Sequence, residues 1–217
     1  GGCSAFGVIS GIIASAPSIE DIDATPTGYL TTVLDNQGNQ TATLVASGSN
    51  RKYVTINEIP INLQHAFVAI EDERFYDHNG IDLQGILRAG LKGVASGFHF
   101  SEGASTITQQ LLKNTVFTQW TSEQSMADKF ERKFQEQYLA LQLEKVVDKD
   151  WILENYLNAI NLGQNTLGVG VASERYFGKD VSDLTLSECA VLAAITQSPS
   201  YYNPITHPDH NKERRQK

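Results

Sequence analysis

The stretch Met126-Ala127-Asp128-Lys129-Phe130-Glu131-Arg132-Lys133-Phe134-Gln135-Glu136-Gln137-Tyr138-Leu139-Ala140-Leu141-Gln142-Leu143-Glu144-Lys145-Val146-Val147 carries helical periodicity over about six turns. Phe130, Phe134, Tyr138 and Leu141 recur three and four residues apart, while Leu139, Ala140 and Leu143 share the other side with Glu136. Apolar residues on both sides predict a helix buried nearly all round, and a mainly α fold. Its charges then need partners. Arg132 and Glu136 stand four apart in the less favourable order, which contributes only a few tenths of a kcal/mol on an exposed helix. A polar site flanked by Arg132, Lys133 and Glu136 and a surface salt bridge both fit this pattern.

Working outward, Leu63, Phe67 and Ile70 keep helical spacing, as do Leu83, Ile86, Leu87, Leu91 and Val94 after an N-cap at Asp82. Ser105 is placed to cap a third helix carrying Ile107, Leu111 and Leu112. Downstream, Asp150 to Ile160 reads as a helix, and Thr185-Leu186-Ser187-Glu188 is a capping box that opens an apolar helix ending near Ser198-Pro199. Toward the N-terminus the pattern changes. Tyr29 to Leu34 and Gln40 to Val45 flank Asp35-Asn36-Gln37-Gly38-Asn39, which predicts a small β-hairpin. The expected organisation is a membrane-proximal segment with the hairpin over 1–53 and one helical domain over 54–217.

The 217 residues suffice for a substantial core without disulfides. With 17 Lys plus Arg against 25 Asp plus Glu, the net charge of -8 disfavours nucleic acid as a partner, and an anionic ligand would need a local basic pocket. Cys3 lies in a Gly-rich terminus and Cys189 in the apolar run 189–195, so neither a disulfide framework nor a zinc motif is expected, and Cys189 is assigned to the core. No apolar run reaches the roughly 18 residues of a membrane span. Ala5 to Ala16 reads either as part of an anchor or as a short packed segment.

Two further segments carry chemistry. In Ala69-Ile70-Glu71-Asp72-Glu73-Arg74-Phe75-Tyr76-Asp77-His78-Asn79-Gly80, Glu71 follows the end of an apolar helical face. Partial burial there suits a carboxylate to accept a proton near neutral pH, although a solvated acidic helix end fits the composition as well. In Glu102-Gly103-Ala104-Ser105-Thr106-Ile107-Thr108-Gln109-Gln110-Leu111-Leu112-Lys113-Asn114, small residues let backbone approach a ligand, and a helix start would point N–H groups and hydroxyls at an anion such as a diphosphate. Consecutive Gln109 and Gln110 imply specific partners, because an unpaired buried amide costs about 1–3 kcal/mol.

Together these residues resemble the family 51 glycosyltransferases, the peptidoglycan polymerases of class A penicillin-binding proteins and monofunctional transglycosylases. The resemblance covers Val54 to Pro204. Its motifs are matched in order by Glu71 to Gly80, Gly103 to Gln110, Arg132-Lys133-Phe134-Gln135-Glu136, Ile152-Leu153-Glu154-Asn155-Tyr156-Leu157-Asn158 and Leu186 to Ala193, with Pro199 and Asn203-Pro204 beyond. Any one match is weak, and five in order are specific.

That resemblance implies a lysozyme-like, two-lobed α fold and a catalyst that joins lipid II to a growing glycan strand held on a polyprenyl diphosphate. Glu71 would deprotonate the acceptor hydroxyl, and the anomeric carbon would invert to a β-1,4 bond. Glu136 would be the second catalytic carboxylate, organising the charged region or helping to hold a divalent ion, Mg or Mn, at the diphosphate. Ser105, Thr106, Gln109, Gln110, Lys113, Arg132 and Lys133 would line the substrate site. A further basic residue expected between Asn114 and Glu131 has no clear counterpart, Lys129 being the nearest. Leu91, Phe98 and Phe100, with Arg88 and Lys92, resemble the membrane-contacting part of the smaller lobe, and an ordinary core helix is the alternative there.

The implied location is the extracytoplasmic face of the bacterial cytoplasmic membrane, anchored by an N-terminal helix largely missing from this sequence. The implied partners are membrane lipids, a C-terminal transpeptidase domain and other wall-synthesis proteins. Two rivals share features of this reading. A lysozyme-like hydrolase also uses two carboxylates, but the Ser/Thr/Gln segment and Lys113 suit a diphosphate leaving group better. A non-catalytic wall-binding module would use the polar residues for recognition alone.

Overall fold

A computed structural model describes residues 7, 10–16, 18, 31–34, 40–44, 52–95, 103–116, 125–196 and 198–216. Strands β1 (Thr31–Leu34) and β2 (Gln40–Leu44) pair antiparallel, with Thr31 opposite Leu44 and a register shift between Val33 and Leu34. The helices are α1 (Ile61–Glu71), α2 (Leu83–Ala95), α3 (Ile107–Thr115), α4 (Met126–Val146), α5 (Lys149–Ala159), α6 (Val169–Phe177), α7 (Leu186–Ile195) and α8 (Pro208–Arg215), with a 3-10 turn at Val181–Asp183. The fold is mainly α, and the hairpin lies where the turn residues place it.

The chain divides into two compact units, each assembled from two segments. The unit of Thr25–Ile70 and Leu153–Lys217 holds most of α1, the rest of α5, and α6 to α8. Phe67 on α1 and Tyr156 on α5 are fully buried and meet edge to face at 6.2 Å, a geometry that adds to the area they bury. Asn158 receives the Val54 N–H and donates to the Val54 carbonyl at 2.9 and 2.8 Å, which fixes the segment before α1 onto α5. Cys189 is fully buried, as its apolar surroundings in the sequence require.

The unit of Gly1–Ala24 and Glu71–Ile152 holds α2, α3, α4 and the loop after α1. Gly80 in that loop has φ +102°, and a Cβ there would sit 2.6 Å from the Ala140 carbonyl oxygen on α4. Only glycine lets the loop lie this close to the helix backbone.

Three details differ from the sequence reading. Along α4, Gln135, Glu136, Leu139, Ala140 and Leu143 are buried, whereas Phe130 and Leu141 are 59% and 38% exposed. The helix is buried on the Glu136 face and not all round, because the Gly80 loop and α3 pack on that side. Phe130 instead finds Phe134 on its own helix, at 4.7 Å between centroids. The N-cap of α3 is Thr106 and not Ser105: the Thr106 hydroxyl takes the Gln109 N–H while the Gln109 amide takes the Thr106 N–H. Finally, α8 and α6 have no counterpart in the predicted elements, and the reason is plainest for α6. It starts at Gly168, with φ 88° and no side-chain cap, and so gives no start signal in the sequence.

Candidate active site

Glu71 ends α1, is half-buried, and accepts a hydrogen bond from the Gln110 amide at 3.2 Å. The next residue, Asp72, is 6% exposed and receives the Ile107 N–H, the first helical residue of α3, at 2.9 Å. A carboxylate at a helix N-terminus satisfies an orphan donor and complements the macrodipole. His78 completes the lock. Its Nδ1 accepts the Gly80 N–H at 3.1 Å, which leaves Nε2 to donate to Asp72 at 2.8 Å. Thr106 adds a hydrogen bond from its hydroxyl to the Gly80 carbonyl at 2.7 Å. The chain after Glu71 is thereby pinned to the start of α3 at several points.

The second carboxylate, Glu136, is 1% exposed. Arg132 Nη1 reaches one of its oxygens at 2.9 Å and Lys133 Nζ the other at 2.8 Å. Lys133 also donates to the Ser105 hydroxyl at 2.5 Å. The Gln109 amide stands 3.5 Å from the oxygen that Lys133 holds, at the long limit of a hydrogen bond. Two cations on one buried carboxylate leave net positive charge beside Ser105 and the start of α3.

The consecutive glutamines therefore have the partners that their position demands: Gln109 faces Glu136 and Gln110 faces Glu71. Lys113, one turn further along α3, is exposed and forms no ion pair among the described residues. On α2, Leu91 is 65% exposed. Phe98 and Phe100 lie outside the described residues, as does the side chain of Lys92. Lys129 is exposed on the first turns of α4.

The chain's likeness to known families decides its classification. A model of the family described as Transglycosylase matches residues 37–217. The chain belongs to the transglycosylase family. Penicillin-binding protein 1A of Clostridium perfringens (strain 13 / Type A) is 46% identical over 206 residues, covering 93% of this chain and 29% of that protein. Penicillin-binding protein 1F of Bacillus subtilis (strain 168) is 47% identical over 184 residues, covering 84% of this chain and 24% of that protein. The chain thus spans about a quarter of the length of these relatives. A crystal structure of penicillin-binding protein 1A from Haemophilus influenzae aligns over 88% of this chain and 17% of its own, at 21% identity and a TM-score of 0.40.

Several residues of this transglycosylase chain shape the site without having been singled out from sequence. Asp72 forms the lock described above with His78, whose place in the sequence does suggest a structural hydrogen-bonding role. Thr108, Glu144 and the part-buried Lys149 form a cluster behind that lock. The signal for Asp72 was its place directly after Glu71, but a charged residue among several looks solvated until its helix partner is known. Arg74 pairs with Asp82 through two nitrogens and holds that carboxyl down at about 2. Leu83 and Leu87 are 74% and 65% exposed and, with Leu91, make an apolar stripe one residue wide along α2. Among the described residues no group of three or more His, Cys, Asp or Glu is arranged to hold a metal, and both oxygens of Glu136 are engaged by cations.

Proposed function

We propose that this chain is a peptidoglycan glycosyltransferase that polymerises lipid II, with Glu71 as the general base. One observation carries the reading: a half-buried carboxylate at a helix end and a buried Glu136 held by Arg132 and Lys133 are each contacted by one of two consecutive glutamines on α3. Names of the relatives and the family match support the same class of reaction.

In this reading Glu71 takes the proton from the acceptor sugar hydroxyl as the oxygen attacks the donor's anomeric carbon, which inverts. The bond to the polyprenyl diphosphate breaks, and its electron pair leaves with the diphosphate. That leaving group needs charge stabilisation more than a proton. Lys133, Arg132 and the exposed Lys113 supply it, while Ser105 and the start of α3 offer hydrogen-bond donors. Glu136 orients the two cations. No step is routed through a divalent ion. Gln110 orients the Glu71 carboxylate.

The lipid-linked donor requires the site to be held at a membrane surface. No helix among the described residues is long and apolar enough to cross a membrane. The exposed Leu83, Leu87 and Leu91 stripe, with Arg88 exposed on the same helix, has the character of an interfacial contact. We place the chain on the extracytoplasmic side of the cytoplasmic membrane, as part of a longer protein that carries a transpeptidase like its relatives. The direct test is gel analysis of the products formed from purified lipid II in detergent. A ladder of glycan strands is expected; glycan cleavage without polymerisation would point to a hydrolase, and an inert folded protein to a binding module.

A further inference from the structure

Behind the Asp72-His78 lock lies an ion pair that the proposed chemistry does not use. Glu144 on α4 has a side chain only 5% exposed; one oxygen takes the Thr108 hydroxyl at 2.6 Å and the other takes the Lys149 ammonium at 2.6 Å. Lys149, the first residue of α5, also donates to the His78 carbonyl at 2.7 Å and lies 4.5 Å above the Phe75 ring. The imidazole of His78 comes within 4.0 Å of Glu144.

Burying such a pair is a poor way to stabilise a fold, since well-packed apolar residues of similar volume serve as well or better. What the pair does is connect. Thr108 belongs to the first turn of α3, which carries Gln110; His78 and Phe75 belong to the loop that starts one residue after Glu71. Both ends of the Glu71–Gln110 contact are therefore tied to the same ion pair, in which Glu144 is buried and Lys149 part-buried. We propose that Glu144 and Lys149 are positioning residues for the Glu71 carboxylate, clasping the start of α3 to the loop at 72–80. The claim rests on the reading of Glu71 as the base. Slack of about 1 Å at a reacting group costs on the order of 100-fold in rate, so a clasp that removes it has a kinetic purpose.

The experiment is a double-mutant cycle on the full chain with lipid II as substrate. Glu144→Gln with Lys149→Met removes both charges together and leaves no uncompensated one. In the folded protein it should lower kcat about tenfold or more with KM within about twofold, while Lys149→Arg alone keeps most of the turnover. Installed in Glu71→Gln, the same pair of changes should alter the residual rate by less than about twofold, because the group being positioned is gone. A merely structural role would cost the same factor in both backgrounds, and that outcome, or parental kcat in the folded variant, overturns the proposal. Should the double variant not fold, Thr108→Val enters the same cycle. Amide hydrogen exchange gives an independent arm: peptides covering 72–80 and 106–110 should exchange faster with the rest of the chain unchanged, and unaltered exchange there contradicts the clasp. A Glu71→Gln protein with parental turnover would instead sink the base assignment, so the two failures are distinguishable.

Discussion

Glu71 and Gln110 show how little of a site is visible in one residue at a time. A lone Glu beside Asp and Glu reads as a solvated acidic turn, and Gln109-Gln110 as the polar start of a helix. The structure gives each glutamine its carboxylate. Lys113 is a cation with no ion pair among the described residues, exposed on the same helix. Lys113→Ala should weaken lipid II capture and turnover, and Lys113→Arg should retain part of both, because a point charge near a diphosphate is partly replaceable. Equal losses in steady-state kinetics of the two variants would assign Lys113 a geometric role. At Asp82 the prediction concerns acid. The Arg74 guanidinium holds this carboxyl at about 2 against an ordinary 3.8, so the folded state binds the proton less readily than the unfolded one. The stabilisation is complete above about pH 4 and is lost as pH falls through about 2. Thermal unfolding of Asp82→Asn followed over that range should show a shallower acid limb than the parent; an identical slope would show that the pair contributes nothing there.

Helix starts with a hydroxyl or carboxylate cap were legible, and for a physical reason: the cap and its reciprocal partner three residues on are both written in the local sequence. Thr185 with Glu188 forms its capping box as read, whereas the same arrangement of Ser125 with Asp128 at the start of α4 was not read. The start of α3 slipped by one residue because Ser105 and Thr106 are equally suited to cap, and only the Gln109 side chain decides between them. Helix α6 was invisible because glycine at φ 88° begins it and β-branched valines follow. Its position is set by tertiary packing, since a Cβ at Gly168 would stand 2.7 Å from the Asn158 carbonyl oxygen. On α2 the element itself makes a prediction. Leu83, Leu87 and Leu91 are exposed, so replacing all three by Ser should leave helical content and thermal unfolding nearly unchanged while reducing binding to anionic liposomes. A folded triple variant that sediments with liposomes like the parent would remove the membrane role from this helix.

At the scale of the molecule, the mainly α fold follows from periodicity, but the division into two discontinuous units does not, because contact between segments distant in sequence leaves no local mark. The Phe67–Tyr156 contact is one such pairing, and Phe67→Ala should cost about 3–5 kcal/mol in chemical denaturation. The candidate site was legible as a set of motifs in order, whereas the Asp72, Glu144 and Lys149 network behind it was not, since burial is what turns those charges from surface decoration into clasps. The central claim is that Glu71 removes the acceptor proton. It is tested most directly by comparing polymerisation and lipid II binding in the parent and in Glu71→Gln, which preserves shape and the Gln110 contact. Folded Glu71→Gln should bind lipid II with parental affinity and form glycan at least about 100-fold more slowly; a folded variant that polymerises at the parental rate would contradict the account.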